Sequence, residues 1–142
     1  MGKVLVEVEL ENYIDRIRAE LRGRNGSRGR VRRQRIRVLA DSGATAMVLP
    51  QDLVKELGLP LREDTVIVTY ADDRKEERPV AWGLRVRVGK REMEVDCIVG
   101  PPGSQPLLGQ IVLERLDLLV DCARGRLTPR PESPYLPTLD LR

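Results

Sequence analysis

The sequence predicts one mostly β domain, folded as a closed, barrel-like sheet with one or two short helices. Two-residue alternation of apolar and polar positions recurs along most of the chain, and Gly, Asn and Pro cut these runs into short strands. Only two segments carry helix punctuation. At 142 residues the chain suits a single modest core, and 41% apolar with 33% charged residues describes a globular rather than a disordered chain.

The elements follow in order. Val4, Val6, Val8 and Leu10 alternate with Leu5, Glu7 and Glu9, a strand with one buried face. Ile17, Ala19 and Leu21 continue the period of two. A basic loop at about 22–30 contains Asn25-Gly26, a strong turn signal. A returning strand from about Val31 ends at Ala40. Pro50 and Gly58 bracket a short helix whose Leu53, Val54 and Leu57 face the sheet. Val66–Tyr70 is β-branched and aromatic, hence a strand. A charged interruption from Ala71 to Arg78 separates it from a second strand, Val80–Val88, giving a long hairpin. Gly89-Lys90 turns into a strand in which Met93, Val95, Cys97 and Val99 alternate with charges. Pro101-Pro102-Gly103 breaks the chain, Ile111–Leu116 is a second short helix, and Leu118–Val120 a short strand. We expect the domain to span 1–128. Pro129, Pro131, Pro134 and Pro137 mark 129–142 as an extended tail.

Composition narrows the chemistry. Histidine is absent, which excludes Ser-His and Cys-His catalysis and histidine metal sites and leaves carboxylates for acid–base work. Cys97 and Cys122 are too few for a disulfide framework, and both read as core residues. No metal or other cofactor is expected. No apolar run approaches the ~20 residues of a membrane helix, and Met1-Gly2-Lys3-Val4 lacks a signal-peptide core, so the expected location is the cytoplasm without membrane contact. Ten arginines lie from Arg16 to Arg37, whereas the whole chain carries only +3. Such a segment suggests nucleic acid, but it has no aromatic residue to stack on bases after Tyr13. The arginines alternate with apolar residues near Ile36 and Val38, as on the solvated face of a strand.

The most informative stretch is Val38-Leu39-Ala40-Asp41-Ser42-Gly43-Ala44. An apolar strand runs into Asp-Ser-Gly, and the chain turns apolar again at Met47, Val48 and Leu49. A carboxylate between two apolar runs is expected where water is scarce, beside a glycine that permits tight backbone folding. This loop resembles the Asp-Thr/Ser-Gly-Ala active-site loop of the single-domain, retropepsin-like aspartic peptidases, and the bacterial or cyanobacterial type in particular. Leu107-Leu108-Gly109, preceded by Ile98-Val99-Gly100, is similar to that family's second motif, and the likeness extends over roughly residues 4–128.

The resemblance implies a retropepsin-like barrel with a flap hairpin, acting as an aspartic endopeptidase on peptide or protein substrates. It assigns Asp41 as the catalytic acid, and gives Ser42 a hydrogen bond across the two loops of the site. Gly43 allows close backbone approach, and Ala44 lines the floor. It places Tyr70, Ala71 and Asp72 in the flap, and Leu108 and Gly109 beneath the substrate. One Asp-Ser-Gly copy implies a homodimer with an Asp41 from each subunit. A catalytically quiet dimerisation or peptide-binding domain is the alternative reading, and nucleic-acid binding through the arginines is a weaker third.

Overall fold

The structure, a computed structural model, describes residues 3–23 and 30–129. The first alternation forms β1 (Lys3–Asn12), and the returning strand forms β2 (Arg33–Asp41). β3 (Val48–Pro50) leads into α2 (Gln51–Leu57), closed at its C-terminus by Gly58 in the left-handed conformation. The hairpin is β4 (Leu61–Thr69) and β5 (Lys75–Val88); β6 (Arg91–Gly100) follows. The end of the chain supplies β7 (Leu107–Leu108), α3 (Gln110–Leu116), β8 (Leu118–Asp121) and β9 (Arg126–Pro129).

The sheet runs β1-β2-β7-β3-β6-β5-β4, and a β1–β5 ladder from Glu9↔Arg87 to Asn12↔Leu84 joins its first strand to its sixth. Six strands therefore close into a barrel, as predicted, while β4 stays outside the ring and extends β5 into an arm. Inward positions two apart, such as Val8 and Leu10, Val38 and Ala40, Leu84 and Val86, fill the barrel with Met47, Leu49, Leu108 and the apolar face of α3. Each large aliphatic side chain removed from water contributes roughly 1.5–3 kcal/mol. Cys97 belongs to this core, and burial pushes its thiol up to about 12. Arg91, itself buried, donates to the carbonyls of Leu116 (2.7 Å) and Asp117 (3.1 Å) and closes the C-terminal end of α3.

On the outer face, arginine and glutamate alternate across four strands. Arg33, Glu11, Arg85 and Glu94 form one row in register; Arg35, Glu9, Arg87 and Glu92 form the next. Opposite charges directly across a ladder stabilise the pairing. The arginines of β2 thus sit on the exposed face expected of them, among carboxylates from β1.

Three expectations are corrected. Ile17, Ala19 and Leu21 do not continue a strand but belong to α1 (Tyr13–Arg22), so the described residues hold three helices. Asn12 causes the switch: its side chain accepts the Asp15 amide at 3.0 Å, a helix cap, and its Nδ2 donates to the Leu57 carbonyl at 2.8 Å. Ile14, Ile17 and Leu21 fit helical spacing equally well, and Leu21, 82% exposed, shows that sheet burial never set the period. Arg32 then clasps Asp15 with Nε at 2.8 Å and Nη2 at 2.9 Å. The charged interruption is also shorter than predicted, because β5 resumes at Lys75, where Lys75, Glu77 and Pro79 pair with β4. Cys122 lies exposed in the β8–β9 turn rather than in the core. Thr128 and Pro129, where the predicted tail begins, are part of β9, a short strand in a two-stranded sheet outside the barrel. Residues 130–142 of the predicted tail and 24–29 of the basic loop lie outside the described residues.

Candidate active site

Asp41 is the last residue of β2, and the loop it opens wraps around β7. β7 lies parallel to β2, with Leu39↔Leu107 and Ala40↔Leu108, and meets β3 at Val48↔Leu107. The chain therefore leaves one neighbour of β7 at Asp41 and re-enters as the other at Val48. The Leu39 amide adds a bond to the Pro106 carbonyl at 3.0 Å.

The loop is held at both ends. Within it, Asp41 Oδ1 accepts the Gly43 amide at 2.9 Å, and the Asp41 carbonyl accepts the Ala44 amide at 3.0 Å. From outside, the Gln110 amide donates to the Ala44 carbonyl (2.7 Å) and the Ile111 amide to the Thr45 carbonyl (3.0 Å). These are first-turn amides of α3, whose cap position, Gly109, has no side chain to satisfy them. The loop carbonyls do so instead. Met47 then turns inward to full burial, and its carbonyl accepts the Ile98 amide at 2.9 Å.

Glycine at 109 is a matter of space. A Cβ there would lie within the backbone of Ala46, so only glycine lets α3 approach the loop. At Gly43 a Cβ would stand 3.2 Å from Asp41 Oδ1, tight against the carboxylate it orients.

The structure thus brings Asp41, Ser42, Gly43 and Ala44 together with Leu108 and Gly109. Leu108 is buried in the core and Gly109 lies against Ala46, so both support the loop from beneath. Tyr70, Ala71 and Asp72 lie elsewhere, at the turn of the β4–β5 arm. There the Tyr70 amide donates to the Arg74 carbonyl (2.8 Å), Asp72 Oδ1 accepts the Arg74 amide (3.1 Å), and the Arg74 guanidinium stacks 4.7 Å from the Tyr70 ring. The burial expected of Asp41 is corrected: the carboxylate is half-buried, and Ser42 and Gly43 are exposed, because the apolar runs flanking the loop turn into the barrel and leave its crest in water. Sequence reading missed the part played by Gln110 and Ile111. Their signal was position, directly after a glycine that opens a helix. Among the described residues no three Cys, Asp or Glu side chains gather as a metal site.

A family model described as gag-polyprotein putative aspartyl protease matches residues 27–115, a span containing Asp41, the arm and Leu107-Leu108-Gly109. No curated protein matches the chain by sequence. Among solved structures, the chain is similar to EIAV protease complexed with the inhibitor HBY-793, at 19% identity and a TM-score of 0.49, over 58% of this chain and 77% of that one.

Proposed function

The chain belongs to the gag-polyprotein putative aspartyl protease family, and from that premise we propose that it is an aspartic endopeptidase active as a homodimer. The supporting observation is the clamped loop: α3 amides fix its carbonyls while Asp41, Ser42 and Gly43 face outward at its crest. One chain supplies one such carboxylate. Peptide hydrolysis by this chemistry needs two, and a two-fold axis through the crest supplies the second.

Two carboxylates about 3 Å apart cannot both ionise cheaply, so the pair shares one proton, the known behaviour of aspartic-protease dyads. The ionised Asp41 takes a proton from water, and the resulting hydroxide equivalent attacks the scissile carbonyl carbon. The protonated Asp41 of the other subunit gives its proton to the carbonyl oxygen. Proton return to the nitrogen lets the C–N bond break. In this reading Ser42 bonds across the two loops and Gly43 admits the opposing backbone. Ala44 forms the floor, and the arm bearing Tyr70, Ala71 and Asp72 covers an extended peptide.

The test pairs sedimentation with a peptide-library assay between about pH 4 and 7, the range set by carboxylate catalysis. The parent should sediment as a dimer and cleave, and Asp41→Asn should dimerise while losing about 10²–10⁴-fold or more in kcat. Undiminished cleavage by Asp41→Asn overturns the assignment. A dimer that binds peptides without turnover makes the chain a binding domain instead.

A further inference from the structure

In the β4–β5 ladder, Thr65–Thr69 pair with Lys75–Pro79, and the β5–β6 ladder begins only at Val80↔Ile98. Residues 65–79 therefore project beyond the barrel's own ladder. The alternation along the arm gives it two faces: Thr65, Ile67, Thr69 and Glu77 are exposed, while Val66, Val68, Tyr70, Glu76 and Arg78 are half-buried on the other. Arg78 stands on that inner face opposite Val66, its side chain only 19% exposed. Its Nε donates to the Val99 carbonyl at 2.8 Å, and its Nη1 meets Glu76 Oε1 at 3.0 Å. Val99 pairs with Leu49, and the neighbouring Ile98 amide bonds to Met47 at the end of the Asp41 loop. One guanidinium thus joins the arm to the strand pair through which that loop re-enters the barrel.

We propose that Arg78 is a positioning residue for substrate, a latch that ties the arm to the Leu49–Val99 strand pair beside the Asp41 loop while Glu76 orients its guanidinium. The planar fork suits the task. Its separate N–H groups reach a backbone carbonyl and a carboxylate at once, which a lysine ammonium on a flexible stem does poorly. A second tether, Arg62 Nη1 to Asp96 Oδ2 at 3.0 Å, fixes only the base of the arm. Without Arg78, a peptide would have to order the arm as it binds, a cost met before chemistry and common to ground and transition states. Such a loss raises KM and spares kcat.

The inference rests on the peptidase reading, so its test carries two readouts. In Arg78→Ala, KM for a cleavable peptide should rise about tenfold with kcat within about threefold of the parent, and Arg78→Lys should fall between them. Independently of activity, amide exchange in residues 65–77 should quicken in Arg78→Ala while that of β1 and β2 stays unchanged. A parent that cleaves nothing overturns the peptidase reading and leaves exchange to decide the latch. Unchanged arm exchange overturns the latch, as does an equal fall in kcat and kcat/KM or an exchange increase spread over the whole barrel.

Discussion

The Gln110 amide sits 2.7 Å from the Ala44 carbonyl, and through this bond the helix after Leu107-Leu108-Gly109 holds the loop after Asp41. Two segments more than sixty residues apart in sequence thus share one hydrogen-bond inventory. The helix needs acceptors for its first amides, and the loop needs donors for carbonyls that no strand partner reaches.

The contact makes Gly109 intolerant of any side chain. Gly109→Ala should destabilise the fold by about 1–3 kcal/mol, since a methyl group must push α3 away from Ala46. Urea unfolding measures the loss, and activity should fall further than stability because the displaced loop carries Asp41. An unchanged midpoint would show that the loop yields freely.

Ser42 tests the dimer from another direction. If its exposed hydroxyl bonds across the two-fold axis, Ser42→Ala removes two equivalent hydrogen bonds and weakens dimerisation about tenfold or more. Ser42→Thr keeps the hydroxyl and should restore the parent's affinity. Sedimentation equilibrium across a dilution series reads both; equal affinity for all three proteins rules the bridge out.

Asn12 serves two elements at once, capping α1 and satisfying the Leu57 carbonyl at the end of α2. Asn12→Ala should therefore cost about 1–3 kcal/mol, combining a lost cap with a buried acceptor left unpaired. Asn12→Ser keeps a capping oxygen for the Asp15 amide and loses the Leu57 donor, so its unfolding midpoint should lie between the two.

Two ion pairs on this side of the barrel set an acid limit. Hydrogen bonds from Arg32 hold the Asp15 carboxyl below its ordinary value of 3.8, and a hydrogen bond from Arg16 holds Glu11 below 4.5. Both values are depressed by folding. The stability they contribute is therefore complete above about pH 4.5 and is lost as pH falls through the lower folded values. Denaturant midpoints should be flat from neutrality to about pH 5 and fall below it. Asp15→Asn should be less stable at neutral pH, with a shallower fall in acid. A parallel curve would remove Asp15 from the account.

The barrel was legible in the sequence wherever one face of a strand is buried, since alternation at Val8 and Leu10, Val38 and Ala40, or Val86 and Val88 has no other use. The Asp41 turn was legible for a similar reason, because turn residues record local backbone demands, whereas Gly109 stood out only through the resemblance of Leu107-Leu108-Gly109, and its packing against Ala46 came from the structure. Reading failed at Ile17, Ala19 and Leu21, where a short apolar pattern satisfied two periods and a single capping side chain decided between them. It also failed at Cys122, whose exposure follows from β8 and β9 pairing outside the ring.

The sequence alone thus determined the β class, most of the strands along the chain and the turn at Asp41-Ser42-Gly43, all properties of residues near one another in the chain. Only the tertiary structure decided that α3 amides clamp the Asp41 loop, that Glu9 and Glu11 each face arginines on two strands, and that Arg78 reaches Val99. Those relationships join residues far apart in sequence. No local pattern encodes them, because each exists only once the closing β1–β5 ladder sets which strands lie side by side.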